Sequence, residues 1–132
     1  MVKDVVDRRA QIGHLIELFN AGDEQGLLAA YTDDAVVEWP QSGEVVRGAS
    51  ACAAVAARQP GGRPTFRMGE VFGAGDRWVG TMIGDYGSGR PWHVVMIVDF
   101  IGDRIAHRTD YFAEGFDPPP WRADLVEVVP GS

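Results

Sequence analysis

The sequence predicts an α+β domain in which helices cover one face of a curved, mostly antiparallel sheet. The first half of the chain carries apolar residues at helical spacing, whereas the second half carries four runs of β-branched and aromatic residues. Short turns that contain glycine separate those runs, and connections of that length join antiparallel strands. Helices followed by a meander of strands are typical of the α+β class.

The length and composition fit one domain over residues 1–132. Hydrophobic residues make up 45% of the 132 residues, and the net charge is −7. An acidic surface repels phosphate groups, so we expect neither a nucleic-acid partner nor a membrane partner. The charged N-terminus lacks a signal sequence, and the longest apolar run, residues 94–98, is too short to span a bilayer. These features predict a cytoplasmic protein.

Three helices are predicted from periodicity and from end signals. Residues 4–20 place apolar side chains at three- and four-residue spacing, and Gly22 follows as a helix stop. Asp23 is a suitable N-cap for a second helix, which we expect to run through Tyr31 and stop at residues 32–34. Gly48 opens a third, alanine-rich helix that we expect to continue to about Gln59.

The strands are predicted from β-branched and aromatic runs bounded by turn residues. A strand at residues 35–39 is closed by Pro40, and a short strand at residues 44–46 follows it. The four later strands are expected at residues 65–72, 78–86, 92–101 and 105–112. The third of these is apolar on both faces, and helices can cover only one of them. We therefore predict a homodimer through the outer face of the sheet.

Several short motifs follow one another in a specific order and together cover residues 5–122. They are residues 19–23 (Phe-Asn-Ala-Gly-Asp), residues 28–36, Trp39-Pro40, Arg47-Gly48, residues 102–105 and Asp110-Tyr111-Phe112. In these motifs the chain resembles the nuclear transport factor 2-like superfamily, in its SnoaL-like and ketosteroid-isomerase-like branch. The resemblance implies a cone-shaped α+β barrel, with three N-terminal helices packed on a strongly curved, mostly antiparallel sheet around an apolar pocket.

The resemblance does not extend to the catalytic groups of the steroid isomerases. Trp39 stands at the position of their general base, and Leu15 and Met96 correspond to their oxyanion-hole tyrosine and aspartate. Proton abstraction beside a carbonyl needs a base, and the resulting enolate needs hydrogen-bond donors. The water-holding tyrosine and asparagine of the limonene epoxide hydrolases correspond to Val37 and Trp39. We therefore expect neither of these two complete mechanisms.

Asp110 stands where the resemblance to the SnoaL-type polyketide cyclases and the limonene epoxide hydrolases implies a pocket acid. Strand alternation puts Arg108, Asp110 and Phe112 on one face. Burial beside Trp39 and Met96 favours an acid–base role for the carboxyl group, whereas pairing with Arg108 favours a fixed carboxylate. Asp110 is thus a candidate general acid or base and Arg108 a candidate orienting group. The alternative is a structural ion pair.

Two main functions remain open for such a domain. One is a cofactor-independent isomerase, cyclase or hydrolase that acts on a hydrophobic substrate through Asp110. The other is a non-catalytic protein that holds an apolar small molecule in the same pocket. We expect no cofactor and no metal, because no spacing of His, Cys and carboxylates resembles a metal site. The side chains expected to contact the ligand are Tyr31, Trp39, Leu15, Val37, Met96 and Phe112.

The C-terminal residues 113–132 are predicted to form an extended tail. They include three consecutive prolines, Pro118–Pro120, which favour a stiff extended chain. We expect this tail to fold over the sheet edge or the mouth of the pocket. Interaction with another protein, through the tail or the outer face of the sheet, is a third hypothesis.

Overall fold

The computed structural model describes residues 7–58, 65–85, 87 and 89–129. Within these residues the helices are α1 (Arg8–Ala21), α2 (Glu24–Ala30) and α3 (Ala49–Ala57). The strands are β1 (Tyr31–Trp39), β2 (Glu44–Arg47), β3 (Thr65–Ala74), β4 (Arg77–Asp85), β5 (Pro91–Ile101) and β6 (Arg104–Glu114). One 3₁₀ turn covers Pro120–Arg122 in the segment that follows β6. Parts of four predicted segments lie outside the described residues: residues 4–6 of the first helix, residue 59 of the third helix, residue 86 of the strand predicted at 78–86, and residues 130–132 of the tail.

Side-chain caps define the first two helices. The Asp7 carboxylate accepts a hydrogen bond from the Ala10 amide at 3.0 Å, and Asp23 accepts one from the Gly26 amide at 2.9 Å. Gly22 takes the left-handed conformation with φ of 63°, which ends α1. The predicted N-cap at Asp23 and the predicted end of the first helix are therefore confirmed.

The second helix is shorter than predicted, because Tyr31 already belongs to β1. We expected this helix to continue through Tyr31, but it ends at Ala30. Tyr31 pairs with Ile105 of β6 instead, and a register irregularity separates that pairing from the next, Val36 with His107. This pairing is a contact between distant parts of the chain, and it overrides the local helical pattern.

The six strands form one mostly antiparallel sheet in the order β2-β1-β6-β5-β4-β3. Only the β1–β6 pair is parallel among the described strands, with Val37 opposite Arg108 and Glu38 opposite Thr109. This pair brings the end of β1, where Trp39 lies, next to the middle of β6. Among the described strands, β2 and β3 are the two edge strands and do not pair with each other, so the sheet is not closed. The cone-shaped barrel stays a prediction.

The inner face of the sheet, formed by residues such as Met82, Met96 and Asp110, packs against the helices. Ile12 and Phe19 of α1 join this core. A Cβ atom on Gly80 of β4 would lie only 3.0 Å from Cγ2 of Ile12, so the glycine permits α1 to approach the sheet closely. Burial of apolar side chains on this face stabilises the domain through the hydrophobic effect.

The outer face of the sheet carries apolar side chains on four neighbouring strands, β3 to β6. Cross-strand pairing joins Phe72 to Val79, Val79 to Ile97, and Val95 to Tyr111. The exposed fraction is 37% for Val95, 44% for Tyr111 and 55% for Phe72. The alternation predicted for β5 is confirmed, since Val94 and Met96 are buried while Val95 faces out.

Among the described helices, none has the length and apolar character needed to cross a membrane.

Candidate functional site

A pocket of about 610 Å³ lies between α3 and the inner face of the sheet. Its size is in the range typical of pockets for small molecules. Most of its lining is apolar, and the aromatic part comes from four different elements, namely Phe19 of α1, Trp39 of β1, Phe66 of β3 and Phe112 of β6. The pocket therefore provides aromatic walls for a hydrophobic molecule.

The pocket has an exposed mouth and a buried floor. Ala51 and Val55 of α3 and Arg58, which follows this helix, line it at the surface of the protein, where all three are exposed. At the other end the lining includes Arg108 and Asp110, whose side chains are only 5% and 4% exposed. Among the described lining residues, the charged side chains are therefore Arg58 at the mouth and the Arg108–Asp110 pair at the far end.

Arg108 and Asp110 form an ion pair at this floor. Both residues belong to β6 and are two positions apart, so their side chains point to the same side of the sheet. Nε of Arg108 donates hydrogen bonds to Oδ1 of Asp110 at 2.9 Å and to Oδ2 at 3.2 Å. The alternation predicted from the sequence is therefore confirmed, and so is the pairing that the sequence left as an alternative.

Three aromatic side chains hold this pair in place. The indole nitrogen of Trp39 donates a hydrogen bond to Oδ2 of Asp110 at 3.0 Å. The hydroxyl oxygen of Tyr31 accepts a hydrogen bond from Nη1 of Arg108. The guanidinium carbon of Arg108 lies 5.1 Å from the centre of the Phe19 ring, within the range of a cation–π interaction. Both charged groups consequently have polar or aromatic partners although they are buried.

Burial and charge set the protonation states around the pair. Burial raises the pKa of Tyr31 to about 12, although the positive charge of Arg108 acts in the opposite direction. Burial acts to lower the pKa of Arg108, but the charge of Asp110, its hydrogen bond to Arg108 and the electrostatic effect of Tyr31 together act more strongly, so the pKa is raised overall. Tyr31 is therefore a neutral phenol and Arg108 a cation at neutral pH.

The hydrogen bonds to Asp110 define what the pair can bind. Arg108 and Trp39 both donate to the carboxylate and hold it at the floor of the pocket. The carboxylate oxygens are hydrogen-bond acceptors and the Arg108 guanidinium is a donor, so the pair is suited to hold a polar group of a bound molecule.

The structure brings together four of the residues predicted for the site. Asp110, Arg108, Trp39 and Phe112 all line the pocket. Tyr31 is not among the lining residues and reaches the pocket only through its hydrogen bond to Arg108.

The remaining three predicted contacts are placed elsewhere. Leu15, Val37 and Met96 are buried in the hydrophobic core and are not among the lining residues of the pocket. Met96 lies directly opposite Asp110 on β5, but its side chain packs into the core. Leu15 lines a separate pocket of about 200 Å³ between α1 and α2. These three side chains do not line the pocket because they pack tightly against α1, α2 and the sheet.

Sequence reasoning did not identify the wall that α3 and β3 provide. Ala54 and Val55 of α3, Phe66 of β3 and Met82 of β4 line the pocket, and none of them was a predicted contact. The available signal was the run of alanines in α3, because small side chains leave space between a helix and the sheet beneath it.

Cys52 of the same helix is a buried free thiol, and burial raises its pKa, as expected for an inert cysteine.

A second charged group lies on the outer face of the sheet. Nε2 of His107 is 2.6 Å from Oε2 of Glu38, and its Nδ1 is 3.5 Å from Oδ2 of Asp99. Asp99 also pairs with Arg77. His107 therefore lies on the side of β6 opposite to Arg108. In the part of the chain that the structure describes, no cluster of three or more His, Cys, Asp or Glu side chains is arranged to bind a metal ion.

Comparison with known proteins gives matches over most of the chain. The family model of the SnoaL-like domain matches residues 12–108. A solved NTF-2 like protein of unknown function from Burkholderia xenovorans is 31% identical, with 92% of this chain and 94% of that chain covered and a TM-score of 0.79. No curated protein sequence matches this one.

Two further solved structures have the same fold. A protein from Kribbella flavida, described provisionally as a ketosteroid isomerase, is 22% identical, with 93% of this chain and 90% of that chain covered and a TM-score of 0.81. A protein from Sphaerobacter thermophilus is 26% identical, with 81% of this chain and 94% of that chain covered and a TM-score of 0.67. The first of these two matches concerns the fold alone.

Proposed function

The chain belongs to the SnoaL-like domain family of the nuclear transport factor 2-like superfamily, and we propose that it binds a hydrophobic small molecule in the pocket above Arg108 and Asp110. The observation that carries this proposal is the buried ion pair at the end of a mainly apolar pocket. A fold of this kind is compatible with many activities, so the function depends on the groups that line the pocket.

The energetics of the pair favour a role in recognition. A buried ion pair often stabilises a protein no more than apolar residues of the same volume would. Here the pair lines an accessible pocket, at positions where apolar side chains would make the lining uniformly hydrophobic. Polar groups placed at one point of an apolar pocket orient a bound molecule and make binding specific.

The charge at the mouth is already neutralised. Arg58 donates hydrogen bonds to both carboxylate oxygens of Glu24, at 3.0 Å and 2.9 Å. The walls between mouth and floor are formed by side chains such as Phe19, Phe66 and Met82. These features support a ligand whose body is hydrophobic and whose polar group reaches Arg108 and Asp110.

A titration with naphthalene, followed by isothermal calorimetry, tests the proposal. Ala54 lines the pocket, and Ala54→Phe places a ring in it, so we expect naphthalene to bind at least about tenfold more weakly. Ala10→Phe adds the same ring to an exposed site on α1 and serves as the matched control. Equal affinity in all three proteins, or no binding to any of them, would contradict the proposal.

Catalysis by Asp110 is a second candidate function. It is favoured by one observation: the carboxylate lines the pocket, and its Oδ1 accepts a hydrogen bond from Arg108 alone among the described residues. In this case Asp110 would act as a general base on a hydrophobic substrate, with Arg108 orienting it. An isomerase, a cyclase and a hydrolase would all use such a base without a cofactor.

A comparison of the wild type with Asp110→Asn separates this second function from simple binding. Both proteins are offered a panel of epoxide, enone and polyketide substrates. Loss of a general base lowers turnover by about a hundredfold or more. Equal turnover by the two proteins would exclude Asp110 from any mechanism.

We also propose that two copies of the chain associate through the outer face of the sheet. Phe72, Val79, Val95, Ile97 and Tyr111 form an apolar surface that spans β3 to β6. Monomeric proteins rarely leave a large continuous apolar patch exposed. A two-fold arrangement would cover the same patch on both copies at once.

A further inference from the structure

We propose that the ligand binds the floor of the pocket through an uncharged group that accepts one hydrogen bond and donates another from neighbouring atoms. A carboxamide, a lactam or a hydroxyketone has this chemistry. The inference rests on the proposed function, since it concerns the same pocket, and it names the class of polar group that the pocket selects.

The donor for such a group is Nη2 of Arg108. Nε of this guanidinium donates to Asp110, and Nη1 donates to Tyr31. Nη2 donates no hydrogen bond to any residue that the structure describes. No buried side-chain nitrogen or oxygen among those residues lacks a partner, so Nη2 must be in contact with open space. The open space that Arg108 lines is the pocket.

The acceptor is Oδ1 of Asp110. Oδ2 accepts hydrogen bonds from the Trp39 indole at 3.0 Å and from Nε of Arg108 at 3.2 Å. Oδ1 accepts one, from Nε of Arg108 at 2.9 Å, within the described part of the chain. A carboxylate oxygen accepts about two hydrogen bonds, so Oδ1 retains the capacity for one more. The unused donor and the unused acceptor therefore belong to the two side chains of one ion pair at the floor of the pocket.

The balance of charge excludes an ionised group. Arg108 and Asp110 neutralise each other, and their side chains are only 5% and 4% exposed. A carboxylate on the ligand would meet Asp110 as a like charge, and an ammonium group would meet Arg108 in the same way. Either charge would lose its hydration without gaining a counter-charge of its own. An uncharged group that both accepts and donates satisfies Nη2 and Oδ1 together.

Four probes with the same ring system test this inference on the wild-type protein at neutral pH. They are naphthalene, naphthalene carboxamide, naphthalene carboxylate and naphthalene methylammonium, each titrated by isothermal calorimetry. We expect the carboxamide to bind about tenfold more tightly than naphthalene, because it forms two additional hydrogen bonds. We expect neither charged probe to bind more tightly than naphthalene.

A charge change in the floor provides the second measurement. Asp110→Asn removes the negative charge with little change in shape and leaves Arg108 without its counter-ion. The carboxylate probe should then gain about tenfold in affinity relative to the wild type. Asp124→Asn removes the same charge from an exposed position after β6, and we expect it to change none of the affinities.

The outcomes separate this inference from the proposed function. Absence of binding by all four probes would contradict pocket binding itself. If naphthalene binds and the carboxylate binds the wild type as tightly as the carboxamide, pocket binding stands and the inference is wrong. Should Asp110→Asn fail to fold, the ranking of the four probes on the wild type decides alone.

Discussion

The indole nitrogen of Trp39 donates a hydrogen bond to the Asp110 carboxylate at 3.0 Å, between residues 71 positions apart in the sequence. The contact is possible because β1 and β6 run parallel side by side, with Glu38 opposite Thr109. Trp39 therefore serves the pocket twice, as part of its wall and as a donor at its floor.

Removal of this donor is expected to destabilise the protein. Trp39→Phe keeps an aromatic ring but leaves Oδ2 of Asp110 with one hydrogen bond fewer. Loss of a hydrogen bond to a buried charged group lowers the free energy of unfolding by about 2 kcal/mol. Urea unfolding measures the change, and Trp121→Phe, at a side chain that is 74% exposed, is the control. The same stability for both variants would argue against a contribution from this bond.

Removal of one partner of the ion pair is expected to lower the free energy of unfolding strongly, whereas replacement of both partners by apolar residues is expected to lower it little. Asp110→Ala leaves the Arg108 charge buried and unpaired, which lowers the free energy of unfolding by about 3–5 kcal/mol. The double variant Arg108→Met/Asp110→Leu removes both charges and keeps the volume, so we expect it to recover most of that loss. Denaturant unfolding of the three proteins tests this. A double variant less stable than Asp110→Ala would contradict it.

Tyr31 makes stability depend on pH in the alkaline range. Its pKa is raised from 10.0 to about 12, so the unfolded chain loses this proton at a lower pH than the folded protein. Below pH 10 the phenol is protonated in both states and has no effect. As the pH rises towards 12, loss of the Tyr31 proton stabilises the unfolded state relative to the folded state. The free energy of unfolding therefore falls by roughly 3 kcal/mol.

Tyr31→Phe provides the comparison for that pH dependence. The variant loses the hydrogen bond from Arg108 at all pH values. It does not show the fall in stability at alkaline pH that ionisation of the Tyr31 phenol causes. The other two of the three tyrosines are unchanged. Urea unfolding between about pH 9 and about pH 11.5 should therefore show a steeper fall for the wild type. Parallel curves would show that the phenol of Tyr31 ionises equally easily in both states.

A charge on the outer face is expected to prevent association of two copies. Ile97 lies in the apolar row between Val79 and Thr109, and Ile97→Asp would place a carboxylate in the proposed interface. Light scattering should give the mass of two chains for the wild type and of one chain for the variant. Gln25→Asp adds the same charge on exposed α2 and should remain dimeric. An Ile97→Asp variant that stays dimeric would exclude this interface.

Local features of the fold could be predicted from the sequence because their causes are local. The Asp23 cap depends on the next three residues, and the orientation of Arg108 and Asp110 follows from the two-residue period of a strand. The pairing of these two side chains was foreseen as an alternative to catalysis for the same reason.

Other features depend on contacts between distant segments. Tyr31 begins β1 because it pairs with Ile105, a residue of β6 that no local pattern connects to it. The walls at Phe66 and Met82 arise from the way α3 lies over the sheet. Periodicity indicates which face of a strand is buried, but it does not indicate where along that face the packing leaves a space. The contacts expected at Leu15 and Met96 were therefore placed in the core.

The most direct test of the account follows the Trp39 indole N–H in a proton–nitrogen correlation spectrum during titration with naphthalene carboxamide. The chain has four tryptophans, and the signal that Trp39→Phe removes identifies the right one. Binding at the floor of the pocket predicts that this signal shifts progressively and saturates, while the signal of exposed Trp121 stays in place. A Trp39 signal that does not move while the ligand binds would contradict the account.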